Sequence, residues 1–337
     1  MTLFCNVRRL GALVLAPLVV TAALLAACGG GTEQVVTFKP NRLFVFGDEN
    51  SVIENDGSND GAKYTIDDRS LLTAGKCLVL PIFVQDVALY YGFFFEQCDP
   101  LLIAPKAFMR AARLAKVADV ALQVANQRDL NAGDIATFMV GINDLIEIYE
   151  QMPKTAGLTD ANNKAAIAEA GRRGARAAAV VNTLLGTGAR GLVFTVPDIS
   201  LSPYAVLANK NLPGSMALLA SMSYEFNAYL RTSIDATAFD GRNYGLVLAD
   251  DIVAAMYRQP TSYLTTPSVP NVTACKNVID GGTGNDVATQ VLACNINTLV
   301  ANATSASHLW ASDRHIGPNA HQRIGSQAAS RAANNPF

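Results

Sequence analysis

A short apolar run that breaks into an acidic turn constrains this chain more than any other stretch. Leu43 to Phe46 reads LFVF, and Gly47-Asp48 follows it directly. A run of this length and composition, ended by glycine and a turn-forming acid, predicts a buried strand that leads into a tight loop. In an open α/β sheet ligands bind at the carboxyl ends of the strands, so this loop is the first candidate site.

A second run of the same kind occupies Ile135 to Val140, and Gly141 and Asn143-Asp144 follow it. The pattern predicts another buried strand, a glycine turn and the start of a helix. Asn143 and Asp144 taken alone also fit plain helix caps. At the end of a buried strand, however, the carboxamide of Asn143 would lie at the same edge of the sheet as Gly47-Asp48.

The rest of the chain alternates between helical and strand patterns. The predicted helices lie at Pro81 to Gly92, Ala107 to Gln127, Asp160 to Leu185 and Met216 to Ile234, and further strands lie at Gly191 to Val196 and Tyr244 to Ala249. Helices and strands that alternate with short connections predict a three-layer α/β/α sandwich with a mostly parallel, flavodoxin-like sheet.

At three places these patterns resemble the signature blocks of the SGNH/GDSL esterases and lipases. Phe46-Gly47-Asp48 resembles the first block, Gly141 to Asp144 matches the third block, Gly-x-Asn-Asp, and His315 and His321 have the histidine spacing of the last block. The resemblance implies an SGNH-hydrolase fold and hydrolysis of carboxylic esters. The expected partner is a small acyl ester or a lipid, and we expect neither a cofactor nor a metal ion.

The resemblance also implies roles for individual residues. His315 is the expected general base, and Gly141 and Asn143 belong to the oxyanion-stabilising block. At the position of the family's acid, three residues before the histidine, this chain has Ser312, and Asp313 is the nearest carboxylate. In the second block the family's glycine donates a backbone N–H, and the nearest match here is Arg110 to Ala112.

The nucleophile position departs from the family pattern. The family serine directly follows the Gly-Asp pair, whereas Glu49 follows Asp48 here and the nearest serine is Ser51. An ungapped alignment puts Glu49 at the nucleophile position, and a two-residue insertion puts Ser51 there. We therefore predict weak or absent esterase activity, carried by Ser51 if there is any. The first alternative is a catalytically degenerate relative that binds a ligand or partner in the cell envelope. The second, less favoured, is that Glu49 itself acts as a carboxylate base or nucleophile.

The N-terminal segment has the features of an export signal. Arg8 and Arg9 precede the apolar stretch Leu10 to Ala27, and Cys28 follows. The end of this stretch resembles a bacterial lipobox, in which the cysteine is lipidated. We expect a signal peptide at residues 1–27, a glycine-rich tether at 28–40 and the hydrolase domain at 41–337. Lipidated Cys28 would then anchor the protein to a membrane. The resemblance favours the outer membrane as the place of anchoring.

Four further cysteines lie as two local pairs, which we predict to be disulfides in an oxidising compartment. The pairs are Cys77 with Cys98 and Cys275 with Cys294. A zinc site and free thiols are the competing interpretations, and the absence of any Cys-x-x-Cys motif disfavours zinc. The net charge of the chain is −2, which gives no reason to expect a nucleic-acid partner.

Overall fold

The computed structural model describes residues 38–54, 61–68, 77–98, 104–155, 157–275 and 294–334. The chain divides into Met1–Phe38, of which only Phe38 is described, and one compact unit, Lys39–Phe337. The signal peptide expected at residues 1–27, Cys28 and most of the tether lie outside the described residues.

A parallel sheet forms the centre of the compact unit. Its strands lie side by side in the order β2-β1-β3-β4-β5, and every neighbouring pair is parallel. The strands are β1 (Arg42–Gly47), β2 (Ala107–Met109), β3 (Asp134–Met139), β4 (Arg190–Phe194) and β5 (Tyr244–Val247). This is the flavodoxin-like order, in which the chain direction across the sheet reverses between β1 and β3 and leaves a crevice at their carboxyl ends.

Helices connect the strands and cover both faces of the sheet, so the predicted three-layer α/β/α sandwich is confirmed. They are α1 (Phe83–Tyr90), α2 (Val117–Asn126), α3 (Ile142–Gln151), α4 (Asp160–Gly186), α5 (Pro203–Asn211), α6 (Ser215–Thr232), α7 (Ala249–Arg258), α8 (Pro260–Tyr263) and α9 (Pro318–Asn334). Of the helices in the described ranges, none combines the length and the apolar character that crossing a membrane requires.

The helix predicted at Ala107 to Gln127 is wrong in its first part. Residues Ala107–Met109 pair with β1 as an edge strand, and the helix begins only at Val117. The apolar spacing could not separate these alternatives. The Phe108 ring stacks on Phe44 of β1 with centroids 5.2 Å apart, and this packing across the two strands favours the strand.

The two faces of the sheet have different cores. Phe44, Phe46 and Phe138 point to the face covered by α2, α4 and α6, where they belong to a large apolar cluster. On the opposite face α1 packs against α9, and the Phe83 ring of α1 lies 4.7 Å from that of Phe194 in β4. Alternation of side chains along each strand produces this division.

A separate two-stranded parallel sheet carries the loop that leads to α9. It consists of β6 (Val269–Thr273) and β7 (His308–Trp310). The disulfide Cys275–Cys294, with Cα atoms 5.5 Å apart, lies beside it, and the Cys275 N–H donates to the carbonyl of Ala311 at 3.2 Å. Both predicted disulfides are present, since Cys77 and Cys98 are also bonded.

Candidate functional site

The site begins with the tight turn after β1. An added Cβ on Gly47 would lie 2.3 Å from the carbonyl oxygen of Met139, so only glycine lets β1 and β3 end so close together. Asp48 then caps a short 3₁₀ turn, Glu49–Ser51, by accepting a hydrogen bond from the Asn50 N–H at 3.1 Å. The turn directs Glu49 into the crevice between the two strands.

Glu49 is fully buried, and three donors from separate parts of the chain surround its carboxylate. Its Oε2 accepts from the Asn143 Nδ2 at 2.8 Å and from the Leu114 N–H at 2.9 Å. Its Oε1 lies 3.3 Å from Nε2 of His315. These residues bring together the carboxyl end of β1, the start of α3, the segment before α2 and the loop after β7. The carboxylate is therefore the centre of the site.

The backbone donor comes from Leu114, which sequence reasoning missed. The N–H groups of Arg110 and Ala112 are already taken by the carbonyls of Val45 and Gly47, at 2.9 and 3.1 Å. Leu114 has φ 58°, a left-handed conformation that is uncommon for a residue with a side chain. Such strained residues cluster at functional sites, but a leucine gives no sequence signal for this conformation.

Asn143 reaches the site because α3 begins very close to α6. Gly141 precedes the helix with φ 143°, and an added Cβ there would lie 2.5 Å from the Phe226 ring. Asp144, the next residue after Asn143, points away from Glu49. Its carboxylate accepts from the Val117 N–H at 3.0 Å and from Arg173 at 3.1 Å, and it holds α2 and α4 against α3.

The second ring nitrogen of His315, Nδ1, contacts a hydroxyl group. Nδ1 lies 2.8 Å from Oγ of Ser312, so the residue at the expected acid position contacts the imidazole although it is not an acid. Asp313 pairs with Arg314 at 3.0 Å, and its Oδ1 lies 3.4 Å from the Ser312 Oγ. In the part of the chain that the structure describes, Ser312 thus links Asp313 to His315.

Ser51 is buried like Glu49 but faces a different direction. Its Oγ has no hydrogen-bond partner among the described residues, and it lies near Gly47, 2.9 Å from where a Cβ would be. Of the two residues that the sequence offered for the nucleophile position, the structure brings Glu49 to His315.

Burial and hydrogen bonding give neighbouring carboxyls opposite pKa shifts. Burial, and next the charge of Glu49, hold the pKa of Asp48 well above its ordinary value. Burial also acts to raise the pKa of Glu49, but the hydrogen bonds from His315 and from the Asn143 amide outweigh it and lower that pKa. In this turn burial therefore favours the neutral form of Asp48, whereas the donors around Glu49 favour its charged form.

The site thus joins an imidazole, a carboxylate and two N–H donors, which are group types that acyl transfer can use. Both donors, the Asn143 amide and the Leu114 N–H, hold Oε2 of Glu49. Within the described parts of the chain, no three His, Cys, Asp or Glu side chains are grouped so that they could bind a metal ion.

No family model and no curated protein matches the chain. Solved structures resemble it, two of which are described as lipases. One is described as a GDSL-like lipase from Parabacteroides merdae, with 9% identity, a TM-score of 0.40 and coverage of 88% of this chain and 99% of that chain. The other is an extracellular lipase from Streptomyces rimosus, with 14% identity, a TM-score of 0.41 and coverage of 87% and 100%. Both descriptions name lipases, but similarity this low assigns neither an activity nor catalytic residues.

Proposed function

We propose that this chain is a carboxylic-ester hydrolase of the SGNH/GDSL type whose turnover of simple acyl esters is weak. One observation carries the proposal: an imidazole and two N–H donors converge on the side chain at the nucleophile position, Glu49. A base and two oxyanion donors around one reacting group are what acyl transfer requires. The expected substrate is an acyl ester or a lysophospholipid.

Glu49 also explains why turnover should be weak. A substrate carbonyl needs the N–H donors of Asn143 and Leu114, and both are occupied by Oε2. To free them, the Glu49 side chain has to turn away and leave a charged group without its partners in a buried place, which costs several kcal/mol. If an ester is hydrolysed by this form of the site, Ser51 stays our predicted nucleophile, and its hydroxyl must then be brought toward His315.

A second candidate function is a non-catalytic binding protein of the cell envelope. The observation that favours it is the burial of the reacting groups, since Glu49 and His315 are 0% and 1% exposed. A site filled by its own side chain can be retained for structure or for binding elsewhere on the fold.

Turnover of p-nitrophenyl acetate and butyrate by the native protein and by Glu49→Ser tests the proposal. We expect weak native turnover and a gain of at least about 100-fold in Glu49→Ser, because a nucleophile appears beside the base and the oxyanion donors become free. Glu49→Gln is the matched control, since it lacks both the charge and the hydroxyl and should gain nothing. A fluorophosphonate probe should label Glu49→Ser at the substituted position.

The other outcomes are equally informative. Brisk native turnover would contradict the predicted weakness, and full turnover in Ser51→Ala would remove Ser51 as nucleophile. Absence of turnover and of labelling in both the native protein and Glu49→Ser would favour the binding protein.

We also propose that the protein is lipid-anchored in the bacterial envelope, at the outer membrane, through Cys28. The lipobox-like end of the N-terminal apolar stretch supports this. Cys28→Ser removes the acylation site, so the variant should leave the membrane fraction. Retention of Cys28→Ser in that fraction would refute the anchor.

A further inference from the structure

The two ends of His315 carry the groups of a catalytic triad in reverse order. In Ser-His-Asp triads the serine hydroxyl faces Nε2 and the carboxylate faces Nδ1. Here the carboxylate of Glu49 lies 3.3 Å from Nε2, and the hydroxyl of Ser312 lies 2.8 Å from Nδ1. The site still has one carboxylate, one imidazole and one hydroxyl, but the outer two have exchanged places.

We propose that Glu49 and Ser312 form a matched, transposed pair, in which Ser312 positions His315 by keeping the imidazole proton on Nε2, toward Glu49. The inference rests on the proposed function insofar as it treats this site as that of an ester hydrolase. It adds Ser312 as a positioning residue and predicts which second substitution the site needs to regain ester chemistry.

The hydrogen bonds around Ser312 determine the direction of its own proton. Its Oγ accepts from the N–H groups of His315 at 3.1 Å and Arg314 at 3.4 Å, which use its two lone pairs. The O–H is then free to donate, and Nδ1 of His315 at 2.8 Å is closer than Oδ1 of Asp313 at 3.4 Å. An imidazole that accepts at Nδ1 carries its proton on Nε2, where an ionised carboxylate can only accept.

Charge explains why the residues at positions 49 and 312 must change together. Glu49, Ser312 and His315 are all 0–1% exposed, and Arg314 already pairs with Asp313 at 3.0 Å. A carboxylate at position 312 would add a second buried negative charge beside the one imidazole, and such charges are costly unless paired. The site therefore accommodates a carboxylate at either end of His315 but not at both.

A double-mutant cycle of the full chain tests the pair, with thermal unfolding and p-nitrophenyl butyrate turnover as readouts. Ser312→Asp should lower Tm by about 8 °C in the native background and by less than about 3 °C in Glu49→Ser. Ser312→Asn is the control, because asparagine has the size of aspartate without its charge. Its loss of Tm should be the same in both backgrounds. The double variant Glu49→Ser/Ser312→Asp should hydrolyse the ester about 10- to 100-fold faster than Glu49→Ser alone, because a carboxylate at Nδ1 stabilises the imidazolium.

The imidazole ¹⁵N shifts of His315 give a readout that a purely structural role would not move. In the native protein they should show the proton on Nε2, and in the double variant on Nδ1. Equal Tm losses for Ser312→Asp in both backgrounds, or a native Nδ1–H tautomer, would overturn the transposed pair. If the Tm coupling and tautomer hold but no variant hydrolyses ester, the proposed function fails and the pair stands. If Glu49→Ser is active but shows no coupling, the pair fails and the function stands.

Discussion

Two buried imidazoles that lie six residues apart in the sequence have opposite surroundings. His315 has a partner at each ring nitrogen, Glu49 at Nε2 and Ser312 at Nδ1. Both ring nitrogens of His321 lack a hydrogen-bond partner among the described residues, and its ring stacks on Phe83 with centroids 6.0 Å apart. Burial lowers the pKa of His321 to about 3.

Two carboxyl groups, Glu49 and Asp86, differ in the same way. Glu49 is held by three donors and has a lowered pKa. Asp86 lies on α1, the helix that also carries Phe83, and its Oδ2 is buried with no partner in the described parts of the chain. Burial raises the pKa of Asp86 to about 7. Burial alone thus neutralises ionisable groups, and only directed partners keep a charge in the interior.

Removing His315 should have the largest effect on stability. His315→Leu leaves the Glu49 carboxylate buried without its Nε2 donor, so we expect a loss of about 3–5 kcal/mol in the free energy of unfolding at pH 7. The lowered pKa of Glu49 gives stability that is present above the unfolded pKa near 4.5 and is lost as pH falls through the folded value. The loss caused by the substitution should therefore shrink at acidic pH.

Urea unfolding at pH 7 and pH 4 measures this effect. His315→Gln is the control, because its amide can still donate to Glu49 and should keep part of the stability. A loss below about 1 kcal/mol at pH 7 would mean that His315 does not hold the charge of Glu49.

Replacing His321, the second buried imidazole, should raise the free energy of unfolding at acidic pH. Between the ordinary pKa of 6.5 and the folded pKa of about 3, the unfolded chain binds a proton at His321 that the folded protein does not. Stability is therefore lost as pH falls through this window, by about 2 kcal/mol at pH 5. His321→Leu should remove that loss, so its stability relative to the native protein should be about 2 kcal/mol higher at pH 5 than at pH 7.5. An unchanged difference between the two pH values would show that His321 is protonated or solvated in the fold.

Much of the layout of the site could be predicted from the sequence, because each strand ends in a recognisable turn. The runs before Gly47 and Gly141 identified β1 and β3, and parallel pairing of these strands puts Glu49 and Asn143 at one edge of the sheet. Alternation of helices and strands likewise predicted the three layers. These features depend on local composition and periodicity, which the sequence shows directly.

The chemistry of the site could not be predicted in the same way, because it depends on backbone directions and on residues distant in sequence. Nothing in the motif decides whether Glu49 or Ser51 faces His315, since a short 3₁₀ turn sends the two side chains to different places. Leu114 donates through a conformation that leucine rarely adopts. The Ser312 contact with His315 depends on a three-residue turn after β7, where the resemblance led to the expectation of a carboxylate.

The smallest expected effect concerns the carboxyl of Asp86, whose Oδ2 has no hydrogen-bond partner among the described residues. Between the ordinary pKa of 3.8 and the folded pKa of about 7, the folded protein binds a proton at Asp86 that the unfolded chain does not. Stability is therefore lost as pH rises, the opposite direction to His321. Asp86 is partly exposed, so solvent screening reduces the effect, and we expect Asp86→Asn to gain about 1 kcal/mol relative to the native protein between pH 4 and pH 8. Urea unfolding across this range measures the gain. Since the pKa shifts of His321 and Asp86 act in opposite directions, the double variant His321→Leu/Asp86→Asn should have a flatter pH profile than either single variant. A gain that decreased with pH would mean that the Asp86 carboxylate is charged and paired in the fold, and the contrast with Glu49 would then be wrong.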